Sequence, residues 1–168
     1  MNDLRGAFTL AVPVDRTDHV LGAANGRVVV VEYADFECPN CAQAYHAMKI
    51  VFAHFHGRIR FVFRNFPLAD IHPHAELAAE AAEAAGAQHR FWPMHDLLFE
   101  NRSHLKLRHL HEYARGIGLD LERFDYELAD RVYRQRINEQ VEGGRRSGVR
   151  GMPTFFVDSL IVDVSFGI

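Results

Sequence analysis

From Arg27 to Tyr33 the chain reads Arg-Val-Val-Val-Val-Glu-Tyr, a β-branched run of strand length bounded upstream by Asn25-Gly26. Beyond it, Cys41, Tyr45, Met48, Phe52 and Phe55 recur at the spacing of a helix with one apolar face, which Gly57 stops. Residues Arg58 to Phe66 alternate basic and apolar at first, then read as a strand ended by Pro67. Strand, helix and strand in this order predict a βαβ unit with a right-handed crossover.

A helical block follows. Pro73 opens a helix through Glu76, Leu77, Ala78, Ala81, Ala82 and Ala85 to Gly86, with an alanine face suited to close packing. A short piece from Phe91 to Phe99 carries the only Trp. Leu107, Leu110, Ala114 and Ile117 form another apolar stripe, closed by Gly118. Asp120 caps a turn bearing Leu121, Phe124 and Leu128, and a last helix holds Val132, Ile137 and Val141 before Gly143-Gly144. The period then changes. Gly151-Met152-Pro153 is a turn signal, Thr154 to Val157 and Leu160 to Val164 read as strands, and Asp158-Ser159 joins them as an antiparallel hairpin. At the other end, Ala7 to Val14 reads as a leading β-strand.

A chain of 168 residues suits one domain, and 48% hydrophobic content with 13 Phe can fill its core. A net charge of -3 provides no electrostatic footprint for nucleic acid. No apolar stretch approaches membrane-spanning length, so no membrane partner is expected. Met1 to Gly6 lacks the basic region of a secretory signal. A cytoplasmic protein is therefore expected, or a periplasmic one whose leader has been trimmed.

The two cysteines sit as Cys38-Pro39-Asn40-Cys41, where the strand hands over to the helix. Pro39 suits the first helical position, which puts Cys38 at the N-cap. Free backbone N–H groups and the positive end of the helix dipole stabilise an anion there, and the thiolate is the nucleophile of disulfide exchange. Cys41, one turn in and on the apolar face, is the shielded thiol that resolves a mixed disulfide. Three other uses compete. Structural zinc would need Cys38, Cys41 and His46 to be joined by further ligands, and no second cysteine pair exists. A purely structural disulfide would close too short a loop to stabilise much. Inert buried thiols leave the proline and the helix start unexplained. The 11 histidines match no metal motif and read as scattered polar-face residues, His72, His74, His104, His109 and His111 included.

With these residues in view, the chain resembles the DsbA-like branch of the thioredoxin superfamily. The motifs are Glu32-Tyr33-Ala34-Asp35-Phe36-Glu37-Cys38-Pro39-Asn40-Cys41 and Gly151-Met152-Pro153-Thr154-Phe155-Phe156-Val157-Asp158. Phe63 to Leu68, His72 to Ala75 and Ala78 to Gly86 are also similar to the family's bacterial members. The resemblance implies an α/β thioredoxin-like fold, its core at about 9–67 and 150–168, with a helical domain inserted at about 70–148. It implies a redox-active center in which Cys38 is the nucleophile, Cys41 resolves, Met152 and a cis Pro153 wall the substrate side, and Glu32 is a buried acid beneath the active-site helix. A carboxylate among Val28 to Val31 is costly to bury, and burial would raise its pKa toward neutrality, suiting proton exchange with Cys41. A solvent-facing Glu32 is the competing expectation.

The expected activity is thiol–disulfide oxidoreductase chemistry on protein thiols, without cofactor or metal, glutathione being a second thiol to consider. The alternative is a non-catalytic redox-sensing or partner-binding module. Asn40 stands where strongly oxidising members carry a histidine, so Cys38 should be less acidic and the disulfide less oxidising. Met152 replaces the more usual β-branched residue. Family members continue past the hairpin into a helix, whereas this sequence stops at Ser165-Phe166-Gly167-Ile168. Either the chain is truncated there or one sheet face needs other cover, for which a homodimer would serve.

Overall fold

The computed structural model describes residues 9–162. The start of the expected leading strand and everything after Val162, including the expected absence of a terminal helix, lie outside the described residues. The elements are β1 (His19–Gly22), β2 (Val28–Ala34), α1 (Pro39–His54), β3 (Ile59–Asn65), α2 (Ala75–Ala87), α3 (Phe91–Glu100), α4 (Leu107–Gly116), α5 (Leu121–Ala129), α6 (Arg134–Arg146), β4 (Thr154–Val157) and β5 (Leu160–Val162). They build a thioredoxin-like α/β fold with five helices, α2 to α6, between β3 and β4.

The strands form one sheet in the order β1-β3-β2-β4-β5. β2 and β3 run parallel as the βαβ unit requires, and β4 and β5 form the expected hairpin. β2 is central, and all its residues from Val30 to Ala34 are buried. A strand covered on both faces has no polar alternation to show, which is why its sequence reads as a continuous apolar run. On one face Phe52 of α1 meets Phe61, and His95 of α3 meets Phe63, edge to face at 5.2 and 4.8 Å. On the other, α6 presses against Tyr33 and Phe66.

In α2 nearly every side chain is buried, among them Glu80 and Glu83. Charges at such depth are tolerated because each has a partner. Glu80 accepts from Arg131 at 2.7 and 2.9 Å. Glu83 faces His19 at 2.8 Å and accepts from Arg136 at 2.7 Å and Asn65 at 2.9 Å.

Three expectations need correction. The glycines at Gly143-Gly144 do not end a helix, since α6 runs through both to Arg146, whereas α2 ends just past Gly86, at Ala87. They are there for close approach. A Cβ on Gly86 would lie 2.7 Å from the His19 ring, and one on Gly144 would lie 2.8 Å from the Phe66 ring and 3.1 Å from Tyr33. The expected leading strand is reduced, among the described residues, to a single bridge from Thr9 to Leu160. Arg64 takes the Val12 and Pro13 carbonyls instead, at 2.8 and 3.1 Å, while Asp18 holds the same guanidinium through two bonds of 2.9 Å. The added strand is β1, antiparallel to β3. Val132 lies in the turn before α6 rather than in the helix.

Replacing Gly144 by Ala should destabilise the protein by ~1–3 kcal/mol through overpacking, despite alanine's better helix propensity. Gly116→Ala, where a Cβ meets nothing within 4 Å, should be neutral or stabilise by up to ~1 kcal/mol. Urea unfolding of both variants measures the contrast.

Candidate active site

The end of β2 aims the chain into α1. Cys38 is the N-cap residue with extended backbone (φ -72°, ψ 126°), and Pro39 opens the helix without an orphaned N–H. No side chain caps α1, so the N–H groups of Asn40 and Cys41 remain to act on the Cys38 sulfur. A hydrogen bond from the Cys41 thiol is the largest influence, and with those N–H groups it holds Cys38 at a pKa of about 6 against the opposing effect of burial. Cys41 is fully buried, and burial, reinforced by its bond to Cys38, pushes its own pKa far up. One sulfur is thus prepared to be an anion and the other to keep its proton. Both cysteines are free thiols.

The β4 side closes the site. The Met152–Pro153 bond is cis, and the Met152 carbonyl lies 3.9 Å from the Cys38 sulfur. Pro39 and Asn40 are exposed at the helix start. Glu32 lies on β2 opposite Phe63 on one side and Phe155 on the other, only 2% exposed, so the solvent-facing alternative does not hold. Its Oε1 has no hydrogen-bond partner among the described residues. Burial raises its pKa to about 8, and its charge when ionised further opposes ionisation of Cys41. The residues singled out in the sequence therefore converge around α1's first turn.

Sequence reading missed a second layer. Asp35 accepts from Glu37 N at 2.7 Å and Leu68 N at 2.8 Å, and faces the His72 ring at 2.7 Å. Glu37 accepts from His74 N at 2.7 Å, faces the His74 ring at 3.0 Å, and offers its carbonyl to Arg102 at 3.2 Å. His72 and His74 are accordingly not scattered polar-face residues: they clamp the loop that leads to Cys38. The available signal was two carboxylates two apart before Cys38, matched by two histidines two apart around Pro73. Among the described residues no three His, Cys, Asp or Glu side chains converge to hold a metal ion.

The family described as Thioredoxin matches residues 15–166. The chain belongs to the thioredoxin family. Solved thiol–disulfide exchange proteins of the DsbA type share its fold. Oxidised BdbD from Bacillus subtilis superposes with a TM-score of 0.83 at 21% identity, covering 94% of this chain and 89% of BdbD. A thioredoxin-like oxidoreductase from Silicibacter pomeroyi DSS-3 gives 0.77 at 28% identity, covering 88% and 84%. Among curated relatives, the Na(+)/H(+) antiporter NhaA 1 of Salinispora arenicola is 51% identical over 154 residues, 91% of this chain but 24% of that protein. The Herminiimonas arsenicoxydans antiporter NhaA is 39% identical over 152 residues, again 24% of its length. This thioredoxin-family chain thus spans about a quarter of the curated relatives it matches.

Glu32 carries a pH signature. Its pKa rises from an ordinary 4.5 to about 8 on folding, so its neutral form costs nothing extra below pH 4.5 and stability is lost as pH climbs toward 8. Cys38, lowered on folding, acts in the opposite sense above pH 6, so the comparison must be between variants. The reduced Glu32→Gln protein should gain on the wild type by up to ~1.4 kcal/mol per pH unit through that window. Parallel denaturant titrations at each pH would show a constant difference if Glu32 were solvated.

Proposed function

We propose that this domain is a thiol–disulfide oxidoreductase that exchanges a Cys38–Cys41 disulfide with protein thiols. The observation that carries the reading is the divergence of the two thiols at one helix start: Cys38 at a pKa of about 6 and Cys41 pushed far upward. In the reducing direction the Cys38 thiolate attacks a substrate disulfide, forming a mixed disulfide and expelling one substrate thiolate. Cys41 then loses its proton and attacks the Cys38 sulfur, which closes the internal disulfide and releases the second substrate thiolate. Glu32 in its ionised fraction takes the Cys41 proton and returns it when the sequence runs backward. Met152 and Pro153 wall the side from which the substrate approaches. Direction follows from the potential of the pair against its surroundings, which equilibration in glutathione buffers measures.

The antiporter relatives favour a second reading, in which the same disulfide is a switch on a module that accompanies a Na(+)/H(+) antiporter. Turnover separates the two: a switch that does not catalyse exchange oxidises or reduces a dithiol substrate no faster than a free thiol does.

Alkylation of Cys38 by iodoacetamide should follow a titration centred near pH 6, and Cys41→Ala should move the midpoint upward by removing the strongest hydrogen bond to the thiolate. Cys41→Ser should accumulate mixed disulfides with protein thiols in cell extract, seen by non-reducing electrophoresis. An extract without such adducts would leave the switch reading in possession.

A further inference from the structure

Beneath the sheet-facing side of α1 lies a cavity of about 620 Å³, a size typical of small-molecule sites. Its walls are largely apolar, with Met48 and Phe52 from α1, Phe61 from β3 and Trp92 from α3. Leu21 and Phe55, both partly exposed, line it toward solvent. The rings of Phe52 and Trp92 meet Phe61 at 5.2 and 5.8 Å, leaving aromatic faces and edges along the wall.

Two polar side chains line this apolar space, each more than nine-tenths buried: Glu32 at 2% exposure and His95 at 4%. Glu32 Oε1 and His95 Nε2 are both without a hydrogen-bond partner among the described residues. Buried polar atoms of this kind ordinarily have one. Of the other polar side chains around the cavity, His56 is exposed at its edge, and Tyr45, Lys49 and Asp96 are engaged. Tyr45 and Lys49 both donate to Glu100 at 2.9 Å, and the Asp96 carboxylate faces His95 Nδ1 at 3.0 Å.

The unmet pair has a defined chemistry. A carboxylate only accepts, so the contact with Asp96 puts the proton of His95 on Nδ1 and leaves Nε2 as an acceptor. Burial lowers the pKa of His95 and keeps the ring neutral. Glu32, held neutral to about pH 8, has a proton to donate. One hydroxyl meets both needs by accepting from Glu32 and donating to His95.

We propose that this cavity is a binding site for a small aromatic alcohol of the phenol class, its ring against Phe61 and Trp92 and its hydroxyl between Glu32 and His95. The site is separate from the thiol-exchange groove at Met152 and Pro153, and binding there does not depend on the exchange reaction. Its ligand would touch exchange only through the Glu32 proton.

Trp92, the chain's one tryptophan, lines the cavity and donates its indole N–H to Val20 O at 3.1 Å, so its single indole amide signal reports on occupancy. Titration of the reduced protein with 4-hexylphenol should move that signal saturably. The methyl ether 4-hexylanisole, which cannot donate, should bind roughly tenfold more weakly. His95→Phe keeps a ring among the neighbouring aromatics, removes the acceptor, and should abolish that preference. Equal binding of phenol and ether by the wild type would overturn the polar recognition, whatever the fate of the variant. A non-saturating drift, or no shift with either compound, would mean a cavity that holds water alone and would overturn the site. Neither result bears on disulfide exchange, which is read by turnover.

Discussion

Burial of β2 on both faces is the constraint from which the rest of this domain follows. Hydrogen-bonded to β3 and β4 and pressed by α1 and α3 on one side and α6 on the other, the strand ends at a fixed point, and that point launches the helix whose first turn carries Cys38. The same strand delivers Glu32 opposite Phe63 and Phe155, where burial opposes its charge. A polar residue placed there is costly, and its retention in a strand that otherwise reads as valine gives it chemical significance. The placement of Cys38 and the raised pKa of Glu32 are thereby consequences of one packing arrangement.

The opposed behaviour of the two thiols comes from hydrogen bonding and burial. The cationic group that could have done the work, an imidazole inside the Cys-x-x-Cys loop, is replaced by the amide of Asn40, and Cys38 is still held at about 6. Hydrogen bonding from Cys41 and from backbone N–H groups at the helix start is sufficient. Since the main donor is the resolving thiol itself, the two sulfurs are coupled before any substrate arrives, and the acidity of one is bound up with the protonation of the other.

Much of this was readable in the chain. The β2–α1–β3 unit, the terminal hairpin and the Cys38-Pro39-Asn40-Cys41 site are local patterns: a β-branched run, a helical period, a proline at a helix start. The burial of Glu32 was readable as an anomaly in an apolar run. What could not be read was what depends on distance. Gly143 and Gly144 look like helix stops, but a glycine required by Phe66 and Tyr33 across the fold has no local signature. Arg64 recruits the Val12 and Pro13 carbonyls away from a sheet, and nothing near either segment announces it. The carboxylate–histidine contacts escaped for the same reason, since Asp35 and His72 are 37 residues apart.

Those contacts also change how the inserted helices should be regarded. Asp35 stands close enough to Cys38 for its negative charge to resist the thiolate. His72 and His74, which face Asp35 and Glu37, belong to the segment that leads into the insertion, and Arg102 belongs to the insertion itself. The His72 ring meets the Asp35 carboxylate, the His74 ring and backbone N–H meet that of Glu37, and Arg102 takes the Glu37 carbonyl. The loop that carries Cys38 is therefore held from both halves of the fold. A stripped-down core made by splicing β3 directly to β4 would keep both cysteines and their helix, yet leave the Asp35 and Glu37 carboxylates without the partners that hold the loop before Cys38.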